Sequence, residues 1–186
     1  MSVLTIVQYP TPVLRQLAEE VDEDVLASND FAQFANNMME TLESYGPLAA
    51  GLSANQVGVL HRIFIINLEV REGEFLKQYF VNPKITSFSK ETDLDWEGCL
   101  SFNGPEGTPD QWGKVRRATD IVVEAQNLRG DKFKVNAKDF YARLIQHELD
   151  HLNGVLFIDK LESELLDTQQ LEKMLSEEPE ERDPVG

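Results

Sequence analysis

Apolar residues recur along this chain at two spacings, and each predicts its own kind of element. Phe31, Phe34, Ala35, Met38 and Leu42 follow the three-four rhythm of a helix with one buried face. Ser28-Asn29-Asp30 offers N-cap residues at its start, and Tyr45-Gly46-Pro47 ends it. A second helix is predicted from a cap at Asn136, with Asp139 as the acidic partner, through Phe140, Leu144, Ile145 and Leu149 to Leu152. Asn153-Gly154 then supplies a left-handed stop. Leu161–Leu175 reads as a final amphipathic helix. Strand-like runs occupy Arg62–Leu68, Tyr79–Thr86, Asp120–Asn127, Lys132–Val135 and Val155–Ile158. Asn82-Pro83 marks an edge or bulge, and Arg129-Gly130-Asp131 a hairpin turn. Val7–Arg15 is extended or turn-like because of Pro10 and Pro12, and the Gly- and Pro-rich Phe102–Gly113 is a loop. Strands outnumber helices without alternating with them, which predicts an α+β fold with antiparallel sheet.

Composition narrows the class. With 186 residues, 41% of them hydrophobic and 27% charged, one domain over residues 1–175 is expected. Its longest apolar stretches, such as Ile63–Ile66, are far too short to cross a bilayer. Met1-Ser-Val-Leu-Thr5 lacks the basic start and apolar run of a secretory signal. A single cysteine, Cys99, excludes an intrachain disulfide, and a reducing, cytoplasmic location is expected. The net charge of −16 argues against nucleic-acid binding. Residues 161–186 alone hold nine acids and two bases, and an acidic, disordered tail is expected over residues 176–186.

The chemistry concentrates in three segments. In Gln146-His-Glu-Leu-Asp-His151, two of the chain's three histidines stand four apart on a predicted helix. That spacing lets His147 and His151 converge on one metal ion, with Glu148 beside them to handle a proton. The plainer alternative is two half-buried histidines on an ordinary helix. A zinc-protease pattern would place a histidine six residues after His151, but Phe157 stands there, and the nearest downstream carboxylates are Glu162 and Glu164. Cys99, in Trp96-Glu-Gly-Cys-Leu-Ser101, is the other candidate third ligand, since thiolate suits Zn(II) and Fe(II). Gly51-Leu-Ser-Ala-Asn-Gln56 combines small residues with a glutamine able to donate to an oxyanion.

Taken together and in this order, these segments resemble the peptide deformylase family. Its glycine-leucine-alanine-alanine-x-glutamine, E-G-C-L-S and Q-H-E-x-D-H motifs stand here as Gly51–Gln56, Glu97–Ser101 and Gln146–His151. The likeness runs from about Ile6 to Asp159. It implies a hydrolase that removes the formyl group from the N-terminal formyl-methionine of nascent polypeptides, releasing formate. It also implies antiparallel sheets packed around the helix that carries the two histidines.

By the same resemblance Cys99, His147 and His151 hold one divalent metal: Fe(II) in vivo, with Zn(II), Ni(II) or Co(II) able to replace it. Glu148 serves as general base and acid, and the Gln56 side chain and Leu100 N–H stabilise the oxyanion. Ala50, Gly51 and Gly98 border the peptide, and Phe140, Arg143 and Leu144 face the methionine side chain. Glu97, Arg117 and Asp150 support the ligands, with Arg117 paired to Glu97 and Asp150 behind an imidazole. Departures lie on the peptide side: Ser53 replaces the family's usual first alanine, and Ala49 stands where glycine is common. The 102–113 segment also lacks an arginine often found after E-G-C-L-S. Some deformylases dock on the ribosome through a basic C-terminal helix; the matching region here nets −7, so that partner is not carried over. A monomer is expected. A zinc endopeptidase and a catalytically silent metal- or peptide-binding relative are the competing readings.

Overall fold

The computed structural model describes residues 2–46, 49–103 and 109–177. The end of the acidic tail and the middle of the 102–113 segment lie outside the described residues. In chain order the strands are β1 (Gly51–Ser53), β2 (Ile63–Arg71), β3 (Glu74–Phe88), β4 (Thr92–Gly98), β5 (Gln111–Ala118), β6 (Asp120–Gln126), β7 (Lys132–Lys138) and β8 (Leu166–Asp167). The helices are α1 (Glu23–Leu26), α2 (Asn29–Ser44), α3 (Asp139–Leu152) and α4 (Thr168–Glu177). One sheet has the order β1-β2-β3-β6-β7 and the other β4-β5-β8, with every neighbouring pair antiparallel.

The apolar run of β2 shows why it is central. Ile63 and Ile65 join Met38 and Leu42 of α2 in one cluster, while Phe64 and Ile66 join Ile145 and Leu149 of α3 in another. Successive side chains of a strand point to opposite faces, so a strand between two helices is apolar at every position. Helix α3 is thereby held against the larger sheet by one flank, and β4 and β5 close over the other.

Helix α2 is capped by Ser28, which accepts the Phe31 N–H at 3.2 Å, in agreement with the sequence. The bulge expected at Asn82-Pro83 is present in β3, at an interior strand rather than an edge. Other expectations need correction. Asn136 does not cap α3; it pairs with Val122 in the β6–β7 ladder, and the helix begins only after Lys138. Val155–Ile158 is not a strand: buried Leu156 and Phe157 lead into a single helical turn, where Asp159 accepts the Leu156 N–H at 2.9 Å. The final helix starts at Thr168 rather than Leu161, because Leu161 bridges to Val115 and Leu166–Asp167 extends the smaller sheet. It also reaches Glu177, taking up the first residues assigned to the tail.

Candidate metal centre and active site

Helical spacing on α3 brings the His147 and His151 rings to 5.0 Å between centroids. Cys99 arrives from the end of β4, with its Sγ 3.2 Å from His151 Nε2. Ligand atoms of the three residues all lie within 4.8 Å of one another, and all three residues are buried. His147 Nδ1 is 2.9 Å from a Glu97 carboxylate oxygen, which leaves Nε2 free to turn toward Cys99. A carboxylate fixing the far nitrogen is the usual way of aiming a ligating imidazole. One cysteine sulfur and two imidazoles converging, with no fourth protein ligand in the cluster among the described residues, suit a catalytic divalent ion such as zinc or ferrous iron. The residues present therefore fit the metal.

Behind His147 lies a buried ionic network. Glu97 accepts two hydrogen bonds from Arg117 and one from Arg143, all at 2.9 Å. Burial opposes charge on Glu97, but Arg117 and His147 outweigh it and hold the carboxyl well below the usual carboxylate range. Arg117 also bonds Asp150, which Lys160 approaches at 2.7 Å. Asp150 thus corrects one expectation: it bonds Arg117 rather than an imidazole and reaches His147 only through Glu97. Arg143 borders the cavity, but its guanidinium is committed to Glu97 and to the carbonyls of Val115 and Asp93 at 2.7 and 2.9 Å.

Glu148 occupies the other side of the histidines. Its carboxylate accepts the Ser53 hydroxyl at 2.7 Å and presses on Gly51, where an added Cβ would sit 2.4 Å from Oε1. Only glycine leaves that space. Burial, partly countered by His147 and Ser53, raises the Glu148 pKa and favours proton uptake. Gln56 Oε1 accepts the Ser53 N–H at 2.8 Å, while Nε2 lies 3.4 Å from Cys99 Sγ and 3.3 Å from Ser101 Oγ.

Cys99, His147, Glu148, Gln56 and Leu100 line one cavity of about 140 Å³. So do Ala50, Gly51, Gly98, Phe140, Arg143, Leu144 and Glu97, whereas His151, Arg117 and Asp150 stand behind its wall. Sequence reasoning missed the parts played by four residues. Ser53 was visible only as a departure from a motif. Trp96 and Trp112 add an aromatic wall. Gln146 turns away from the cavity and bolts α3 to β5, bonding both the N–H and the carbonyl of Ala118. The protease pattern finds no ligand: Phe157 is buried core, and Glu162 pairs with Arg116 at 2.9 Å on the surface.

A buried Cys-His-His cluster with a carboxylate one residue from its first histidine defines a metal-dependent hydrolase. Comparison with known proteins specifies which kind. Residues 3–166 match the polypeptide deformylase family, and the chain belongs to it. A peptide deformylase of Acinetobacter baumannii is 38% identical over 87% of this chain and 84% of its own length. The chloroplastic peptide deformylase 1B of Solanum lycopersicum is 34% identical over 98% of this chain, which spans 61% of that longer protein. Among solved structures, a Met-Ala-Ser-bound class I type b peptide deformylase from A. baumannii superposes with a TM-score of 0.77 at 33% identity, covering 87% of this chain and all of that one. The peptide deformylase from Thermotoga maritima gives 0.74 at 32% identity, covering 87% and 99%.

Proposed function

We propose that this chain removes the formyl group from formyl-methionyl peptides with the residues gathered around the cavity, and that Glu148 is its general base and acid. Removal of the N-formyl group from nascent peptides is the activity of its family. The observation that carries the residue assignment is the buried Cys99-His147-His151 cluster beside a cavity that Cys99, His147 and Glu148 line.

Cys99 Sγ and the two imidazoles would hold the metal, which when bound polarises the formyl carbonyl and makes water nucleophilic near neutral pH. The raised basicity of Glu148 suits it to take the proton of the attacking water and return it to the leaving amine nitrogen. Ser53 and Gly51 fix that carboxylate from two sides. The Gln56 amide and the Leu100 N–H donate to the oxygen that gains charge in the transition state; one such donor is worth about 3–4 kcal/mol. Alanine and glycine at 50 and 51 let the peptide backbone approach, and Leu144 and Phe140 receive the methionine side chain. The donor set is compatible with Fe(II) as the native ion and with Zn(II), Ni(II) or Co(II) in its place.

No helix among the described residues is long and apolar enough to cross a membrane. The relatives include bacterial and chloroplast proteins, which supports action in the compartment where formylated chains are made. Formate release from a formyl-Met peptide, run beside a casein digestion, tests the activity. Formate without proteolysis is expected; proteolysis without formate would overturn the reading.

A further inference from the structure

Of the two tryptophans in the aromatic wall, Trp112 lies in the 102–113 stretch where the sequence departs from the family pattern. Trp112 faces Gly98 across the β4–β5 ladder, and its ring would stand only 2.7 Å from a Cβ placed there. The indole therefore packs against the backbone that leads into Cys99. Its polar edge is already used: Nε1–H donates to Thr168 Oγ1 at 3.0 Å. Thr168, the first residue of α4, donates in turn to the Pro109 carbonyl at 3.2 Å. Pairing of Trp112 with Leu166 in β8 fixes the backbone behind it. Trp112 lines the same cavity as Phe140 and Leu144 of α3, and with Nε1 engaged by Thr168 what it offers there is carbon surface.

We infer that Trp112 is a specificity-determining residue for the peptide side of the reaction, and that Thr168 is the residue that positions it. The inference rests on the deformylase reading and adds the substrate class: formyl-methionyl peptides whose next residue carries a flat, apolar side chain. Such a side chain stacks on the indole face, whereas a small one leaves the wall uncovered. An acidic one cannot stack on the indole and enters a protein of net charge −16. The C-terminal helix thereby shapes selectivity without touching substrate.

The test compares kcat/KM for formate release from formyl-Met-Phe-Ala and formyl-Met-Ala-Ala in the metal-loaded full chain. The wild type should favour the phenylalanine peptide by about fivefold. Trp112→Ala should erase that preference, chiefly through KM for the phenylalanine peptide. Thr168→Val should weaken it, and Thr168→Ser should restore it, a rescue that general destabilisation would not produce. Equal efficiency on both peptides in the wild type overturns the inference, as does an unchanged ratio in Trp112→Ala and Thr168→Val. Should Trp112→Ala fail to fold, the Thr168→Val and Thr168→Ser ratios decide alone. If the wild type releases formate from neither peptide, the deformylase reading itself fails.

Discussion

The two flanks of α3 are built on opposite principles. Toward β2 and β3 of the five-stranded sheet, Ile145, Leu149 and Leu152 meet Phe64, Ile66 and Phe80 in an apolar cluster. Toward the three-stranded sheet, the same helix sends Arg143 and His147 into a buried network with Glu97 and Arg117. Apolar packing is tolerant of exchange and supplies stability in proportion to area. A buried ionic network stabilises little in total but is costly to leave half-satisfied, so it fixes positions. The helix is thus anchored by one flank and aimed by the other.

Glu97→Gln attacks the aiming flank and should have the largest effect. It leaves two buried guanidinium groups undercompensated, a loss of about 3–5 kcal/mol, and frees the His147 ring, weakening metal binding roughly 10–100-fold. The pH dependence has a definite sign. Because the folded Glu97 pKa is depressed, its stabilisation is complete above the ordinary glutamate range and disappears as pH falls through the folded value. Thermal melts should therefore show wild type and variant far apart at neutral pH and converging in strong acid.

Ile145→Ala attacks the anchoring flank. This fully buried side chain should take about 3 kcal/mol of stability with it, while kcat and metal content per folded molecule stay near wild type. Equal damage to metal binding in both variants would erase the distinction between the flanks. The smallest effect is expected at Ser53→Ala. The chain should fold and bind metal normally and lose several-fold in kcat with KM unchanged, in line with a hydrogen bond worth about 1 kcal/mol. A KM effect instead would assign Ser53 to substrate binding.

This contrast also explains what could be read beforehand. The anchoring flank was legible because it obeys periodicity: α2, β2 and the β6–β7 hairpin follow from spacing alone. Strands β4 and β5 were hidden because their inward positions include Glu97 and Arg117, which polarity assigns to a surface. The Cys-His-His cluster was legible because two members share a helix turn and the third sits in a recognisable motif. Ser53 and Glu148, 95 positions apart, meet only in the folded chain, and the same holds for Trp112 and Thr168, 56 apart. Local pattern carries no trace of such pairs. Asp150 was misassigned for a related reason: its helical neighbourhood suggests an imidazole, but Arg117 from β5 claims it.

The central claim is that Cys99, His147 and His151 hold the metal while Glu148 moves the proton. The most direct measurement determines metal content and formate release together in Glu148→Ala, with Cys99→Ala alongside. Glu148→Ala is expected to retain about one metal per chain, as three ligands beside an open position require, and to lose at least about 100-fold in kcat. Cys99→Ala is expected to lose the metal. Full formate release by Glu148→Ala, with its metal in place, would contradict the account.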